Sequence, residues 1–494
     1  MAYTSIDNPE LFFQTLIWTG DGSGTKSFTL DGSENMQPDW VWSKARDSLG
    51  SITGNHFLYD SVRGAGAEKE IVINSASLAE GDNANQVYGY ISSLNSNGFT
   101  TTAGSSNNDY FNKSSVKYVA WNWKAGGTAP AITYSVKVVS DSGNKYRFDD
   151  FGTSAVTLDL QEGGTYTFDL SDSSNDGHPM KFSETSNGSH GGGSTYSTGI
   201  VYQLDGASVT ESNYVSNFNS ASSRKIIITI SASAPTLYYF CHYHSGMGGQ
   251  ANTNSTFGSS NFGGTIQSVA SANVTSGFSV VTYTGTGSSA TIGHGLGTTP
   301  SMVWIFKRDG SGGNAHVFHK SLGSTQYLLH ASTLGVQTYA PVGIGTLTSS
   351  TFSVGTVSGV NGSSNTYLAY VFADTGNKFC KIGSYTGNGN ANGTFVYTGF
   401  RPAWVMIKRV DSSNDWHLYD NKRDPVNAVD NYLLANSSGS ETSDTNKGTD
   451  LLSNGFKLRT THGSHNTSGG TYIYLAFAES PFVNSAGAVP TNAR

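Results

Sequence analysis

Along most of the chain, apolar residues alternate with polar ones over runs of four to nine residues. Clusters of Gly, Asn, Asp and Ser close each run. Stretches such as ITYSVKVVS (132–140), TYTFDLSD (165–172) and KIIITIS (225–231) show this period of two, which predicts strands with one face buried. Other runs, WVWSK at 40–44 and AWVMIK at 403–408 among them, are apolar on both faces, so their strands must be covered on both sides. Turn signals such as Asn-Gly and Asp-Gly recur between runs, and the whole pattern predicts an all-β chain of antiparallel β-sandwich domains in series.

One arrangement of runs occurs three times. In the first copy IWTGDGSGTKSFTL leads to PDWVWSK (38–44), HFLYDSVRG, LNSNGF (94–99) and YVAWNW; in the third SYTGNGNANGTFVYTGF leads to PAWVMIKR (402–409), DWHLYDNKRD, LLSNGF and YIYLAFA. The second copy is looser. Its interval from Pro300 to Lys307 is one residue longer than that from Pro38 to Lys44, as a β-bulge would make it. The expected division is therefore a first repeat over 1–128, an unrelated β-sandwich over 129–252, a Gly/Ser/Asn linker over 253–276, a second repeat over 277–376, and a third repeat with a C-terminal tail over 377–494.

Composition narrows the function classes. Of 494 residues 60 are Gly and 12% are aromatic, while only 13% are charged, about half the usual share. The net charge of −7 includes no basic block, so nucleic acid is not an expected partner. The N-terminus lacks the basic and apolar regions of a signal peptide, and no run of 18 apolar residues predicts membrane insertion. Two cysteines, Cys241 and Cys380, fall in different expected domains and do not make a disulfide framework.

The 129–252 segment carries the one cluster with metal chemistry. It ends in LYYFCHYHSGMGGQ, where Cys241, His244 and Met247 follow at intervals of three on the loop leaving the last strand, while SNDGHPMKF places His178 just before another. A soft thiolate, two imidazoles and a thioether form the donor set of a copper centre, and the aromatic run before Cys241 supplies a dry shell. His242 and His190 read as surface neighbours. TYTFDL, GHPMKF and LYYFCHYHSGMGG together resemble the cupredoxin family, of plastocyanin and amicyanin type. The resemblance implies a cupredoxin-like domain with His178, Cys241, His244 and Met247 at the copper-ligand positions, holding copper either as a structural clip or for electron transfer.

In the outer copies LYDSVRG and LYDNKRD pair Asp60 with Arg63 and Asp420 with Arg423, the spacing of a turn-stabilising ion pair. The same spacing beside aromatics suits a glycan-binding surface of Tyr59, Arg63, Trp416, Tyr419 and Arg423. DGSGT at Asp21 and DGSGGN at Asp309 read as tight turns lacking a full calcium ladder. No nucleophile, zinc or phosphate-loop motif is present, so no enzyme is expected. The repeats and the closing PFVNSAGAVPTNAR resemble domains of structural and tail-fibre proteins of marine bacteriophages. That resemblance implies a virion component, made in the host cytoplasm and released by lysis, with other virion proteins and host-surface glycans as partners and a homo-oligomer, preferably a trimer, as its state. The alternatives are a copper redox protein and a polysaccharide-degrading enzyme.

Overall fold

A computed structural model describes residues 6–310, 314–340 and 346–481. The chain is all-β, in several mostly antiparallel sandwiches with a few helices of one or two turns. It divides into two compact units, one of Met1–Ala125, Ala272–Ala290 and Leu296–Arg494, the other of Gly126–Ser271 and Thr291–Gly295. The tail beyond 481 lies outside the described residues, as do 311–313 of the DGSGGN stretch. Among the described residues no helix is long and apolar enough to cross a membrane.

The first unit holds all three repeats, and their large sheets share one strand order. In the first copy Phe13–Thr19, Lys117–Trp123, Trp40–Ala45, His56–Asp60 and Ile71–Val72 lie side by side; in the third Cys380–Thr386, Thr471–Pro481, Phe400–Arg409, Trp416–Asp420 and Asn431–Leu434 do the same. The second copy repeats it with Phe278–Thr284, Thr366–Phe372, Met302–Lys307, His316–His319 and Gln326–Leu329. In copies one and three a three-stranded sheet completes the sandwich. In the first copy Phe28 and Phe99 of the small sheet pack with Leu16, Val41 and Tyr118 of the large one.

The second apolar face of each central strand is covered by the other copies. Trp40, Trp42, Trp121, Trp123, Trp304 and Trp404 are all fully buried and meet in one aromatic core: the Trp40 ring lies 4.5 Å from Tyr370, and Trp42 lies 6.0 Å from Trp304 and 6.2 Å from Trp404. The three contacts that join the copies are equivalent. Glu80 N–H donates to the Arg308 carbonyl (2.9 Å), Glu441 N–H to Arg46 (2.7 Å) and Val336 N–H to Val410 (2.8 Å), so copy one leads to two, two to three and three back to one. Such head-to-tail contacts close a ring with pseudo-threefold symmetry. The repeats expected as successive domains thus form one unit, because each has two apolar faces and only one small sheet to cover them.

An ionic clasp reinforces two of the three joints. Arg63 pairs with Asp60 (2.6 Å) and Glu80 (3.1 Å), and Glu80 also binds Arg308 of the next copy (2.5 Å). Arg423 pairs with Asp420 and with Glu441 (2.7 Å), which binds Arg46 of the next copy (2.7 Å). The second copy has His319 where the others have Asp60 and Asp420. Its register also differs from expectation. Met302–Lys307 pairs without a shift, so Phe306 takes the place of Lys44 and Lys408; the irregularity falls in the third copy, at Arg401 to Trp404.

The second unit packs a six-stranded sheet, in the order Asn144–Phe148, Ala131–Ser140, Thr165–Asp169, Arg224–Thr229, Ile200–Leu204 and Ala207–Val209, with a four-stranded one of Leu158–Gln161, Gly249–Asn254, Leu237–Cys241 and Met180–Ser183. The period of two is obeyed: Tyr134 and Val136, Tyr166 and Phe168, and Ile226 and Ile228 point into the core while their neighbours face out. The stretch expected as a linker is corrected in part. Ser259–Asn261 and Ser268–Asn273 are strands, and Phe262 enters the core. Short hydroxyls hold this segment down, since Asp159 N–H donates to Ser260 Oγ (2.8 Å) and Tyr134 Oη to the Ser260 carbonyl (2.8 Å).

Candidate metal centre

Two neighbouring strands set the spacing of the site. Met180 lies directly opposite Cys241 in the antiparallel register, and His242 N–H donates to the Pro179 carbonyl (2.9 Å), which carries the pairing past the strand end. His178, two residues before Met180, is thereby brought beside the Cys241 thiol. It leaves a short 3₁₀ turn capped by Asp172, whose carboxylate accepts from Ser174 N–H (2.9 Å). The buried Asn175 amide ties that turn to the Val136 carbonyl (2.7 Å), and His178 N–H donates to the Asn175 carbonyl (2.8 Å).

The loop carrying His244 and Met247 is fixed from three sides. Asn187 holds its outer bend, donating to Ser245 Oγ (2.8 Å) and accepting from Gly246 N–H (2.8 Å). Gly248 brings the chain back against the strand so closely that a Cβ there would lie 1.6 Å from the Tyr239 carbonyl oxygen. Tyr146 joins the two halves of the site: its N–H donates to the Met247 carbonyl (3.0 Å) and its hydroxyl to the His178 carbonyl (2.9 Å). Burial, with the nearby Cys241, keeps that hydroxyl protonated by pushing its pKa well up.

The donor atoms converge. Cys241 Sγ lies 3.8 Å from His178 Nδ1 and 3.6 Å from His244 Nδ1, and the three atoms are all within 4.8 Å of one another. Cys241 is buried, His178 half-buried and His244 exposed. Burial, and then the charge of His244, holds the His178 imidazole below its ordinary pKa, so its lone pair stays free at neutral pH. The outer nitrogen of His178, Nε2, lies 3.4 Å from the Asn144 side-chain amide nitrogen, and Nδ1 is the ring nitrogen that faces the Cys241 thiol. Met247 is buried in the same apolar cluster as Cys241 and Met180. A thiol and two imidazoles so placed fit a soft cation, and copper is an ion that such a mixed set suits.

His242 and His190 stay outside the cluster. His190 Nε2 reaches the Cys241 carbonyl at 3.0 Å, a contact that steadies the backbone of the ligand. Sequence reasoning missed Tyr146 and Asn187, which hold the site through backbone groups; nothing in the alternation of KYRFDDF marks Tyr146 as more than a core residue.

The expected glycan surface is corrected. Tyr59, Trp416 and Tyr419 are fully buried, Arg63 and Arg423 are 5% exposed, and none can meet a ligand. Their polar atoms are spent on the ring: Asn85 donates to Tyr59 Oη (3.1 Å), Trp416 stacks on His330 at 5.0 Å, and Tyr419 Oη binds the Lys447 carbonyl (2.9 Å). The Asp-Arg pairs are the turn-stabilising ion pairs of the clasps. The turn at Asp21 is closed by Lys26 (2.7 Å) and Ser23 N–H (2.9 Å).

The chain matches a family model described as a domain of unknown function, DUF7483, over residues 8–160 and 251–481. It belongs to that family. All three repeats fall within the match, in keeping with their closure into one unit, whereas His178, Cys241, His244 and Met247 lie in the unmatched stretch between. A search of the curated proteins finds no match.

Proposed function

We propose that this member of the DUF7483 family is a non-catalytic, surface-displayed component of a virus particle, acting in assembly or host attachment, whose second unit binds one copper ion through His178, Cys241, His244 and Met247. The observation that carries the copper reading is the convergence of Sγ and two Nδ1 atoms within 4.8 Å at the end of two paired strands. Bound there, copper would supply a soft link between thiolate and imidazoles. The protein's own part is to hold three donors on a loop clamped by Asn187 and Tyr146, and to keep water away with Met180, fully buried opposite Cys241. Binding to the folded state alone would stabilise the unit by mass action.

The display reading is supported by the resemblance of the repeats to bacteriophage structural domains. The ring gives them a common framework. A second reading, one-electron transfer, is favoured by the exposure of His244, which would give a partner access to the ion.

Titrating purified protein with copper tests the site. One equivalent bound, with an intense visible charge-transfer band and a raised unfolding temperature, is the expected result; no band and no retained copper would refute it. Immunogold labelling of purified particles tests the display reading, and particles free of label would sink it.

A further inference from the structure

The face that the buried Tyr59 and Trp416 cannot supply exists elsewhere, on the small sheet of the third repeat. Its strands Phe395–Tyr397, Gly455–Leu458 and Thr449–Leu452 pair so that Phe395, Lys457 and Asp450 form one row and Tyr397, Gly455 and Leu452 the next. Val396, Phe456 and Leu451, between these positions, point into the core. The outward rows hold two large aromatics on one strand, Phe395 at 44% and Tyr397 at 49% exposure, about 7 Å apart by the strand rise.

The core does not require these aromatics. In the first repeat the positions that match Phe395 and Tyr397 are Ser27 and Thr29, both exposed, and the row through Ser27 is a hydroxyl ladder in which Ser27 Oγ meets Thr100 Oγ1 at 2.9 Å. The same sheet therefore folds with polar residues there. In the third repeat Phe395 leans over Gly455, where a Cβ would lie 3.1 Å from two of its ring atoms; one side of the ring is thus covered by the glycine and the other is left open. Tyr397 carries a polar tip within 3.5 Å of the Asn377 amide.

Charge decides among occupants. Asp450 is engaged by Arg459 at 3.0 Å, whereas Lys457, directly beside Phe395, makes no ion pair among the described residues. A partly exposed cation without an ion pair among the described residues, next to two exposed rings, suits this face to an anion with an apolar side. A sugar ring offers C–H groups on one face to pack on an aromatic, hydroxyls at its rim for Asn377, and, in a uronic or sulfated unit, a negative group for Lys457.

We infer that the open face of Phe395, Tyr397 and Lys457 binds an anionic polysaccharide. This deepens the attachment part of the reading above by naming the ligand class and an accessible site for it. Affinity electrophoresis of the full chain in gels containing polygalacturonate, dextran sulfate or neutral dextran tests it. Retardation by a carboxylated or sulfated polymer but by neither the plain gel nor dextran is expected, and the two charged gels separate uronic from sulfated ligands. Replacing Phe395→Ser and Tyr397→Thr, the residues of the first repeat, should weaken that binding at least tenfold, and Lys457→Gln several-fold. Equal retardation of wild type and the aromatic variant, or none by either charged polymer, overturns the inference. So does sedimentation in which wild type is a dimer and the aromatic variant a monomer, since a second copy would then be the occupant. Absence of label on particles would remove the attachment reading while leaving this binding result standing.

Discussion

Removing Arg423 should reveal how much the clasp contributes to closing the ring. Its guanidinium is fully buried between the Asp420 carboxylate, Glu441 Oε2 (2.7 Å) and the Leu418 carbonyl (2.9 Å), with Trp121 below it at 5.5 Å. In Arg423→Leu, Glu441 keeps Arg46. Asp420 keeps Trp121 Nε1–H (2.9 Å) and two backbone N–H groups, but loses the counter-charge it has among the described residues. A buried carboxylate stripped of its cation costs about 3–5 kcal/mol. Replacing both partners, Asp420→Asn with Arg423→Leu, leaves no unpaired charge and should cost less, about 1–2 kcal/mol. The second repeat already closes its joint without the pair, with His319 and Leu322 at these places. Urea unfolding followed by tryptophan emission is the assay, because seven of the largest buried side chains are tryptophans and all belong to the ring. A single variant within about 1 kcal/mol of wild type, or a double variant as unstable as the single, would refute the account of the clasp.

Two further outcomes follow from the same structure. Burial lowers the His330 and His417 pKa values to about 3, so between about 6.5 and 3 the unfolded chain takes up protons that the folded ring refuses. Stability is then complete above pH 6.5 and falls by roughly 1.4 kcal/mol per pH unit for each such histidine as the pH drops; unfolding curves between pH 7 and 5 that do not move would contradict this. Gly248→Ala should abolish copper retention while leaving the tryptophan-monitored unfolding of the ring unchanged, because any side chain at 248 overlaps the Tyr239 carbonyl. Normal copper binding in that variant would show that the loop can be held another way.

The strands were legible because alternation is a local property, and so was the pairing of two of the proposed donors, Cys241 and His244, which sit three residues apart on one loop. His178 was also legible, since the strand after it gives the chain a means of reaching Cys241. The closure of the repeats was not. It depends on contacts such as Trp121 Nε1 to Asp420, 299 residues apart, and alternation cannot say what covers a second apolar face. The same blindness misled the glycan assignment. An aromatic beside an Asp-Arg pair looks the same in sequence whether it faces sugar or the inside of a ring, whereas Phe395 and Tyr397 gain meaning only once Val396 is seen to point inward. Composition likewise hid the strands at 259–261 and 268–273, because Ser and Asn serve as well at a strand edge as in a linker.

X-ray absorption at the copper edge of the loaded protein tests the central claim most directly. The account predicts one close sulfur and two imidazole nitrogens around the ion, with the sulfur signal lost in Cys241→Ser. A coordination shell of nitrogen and oxygen alone, unchanged by that substitution, would contradict it.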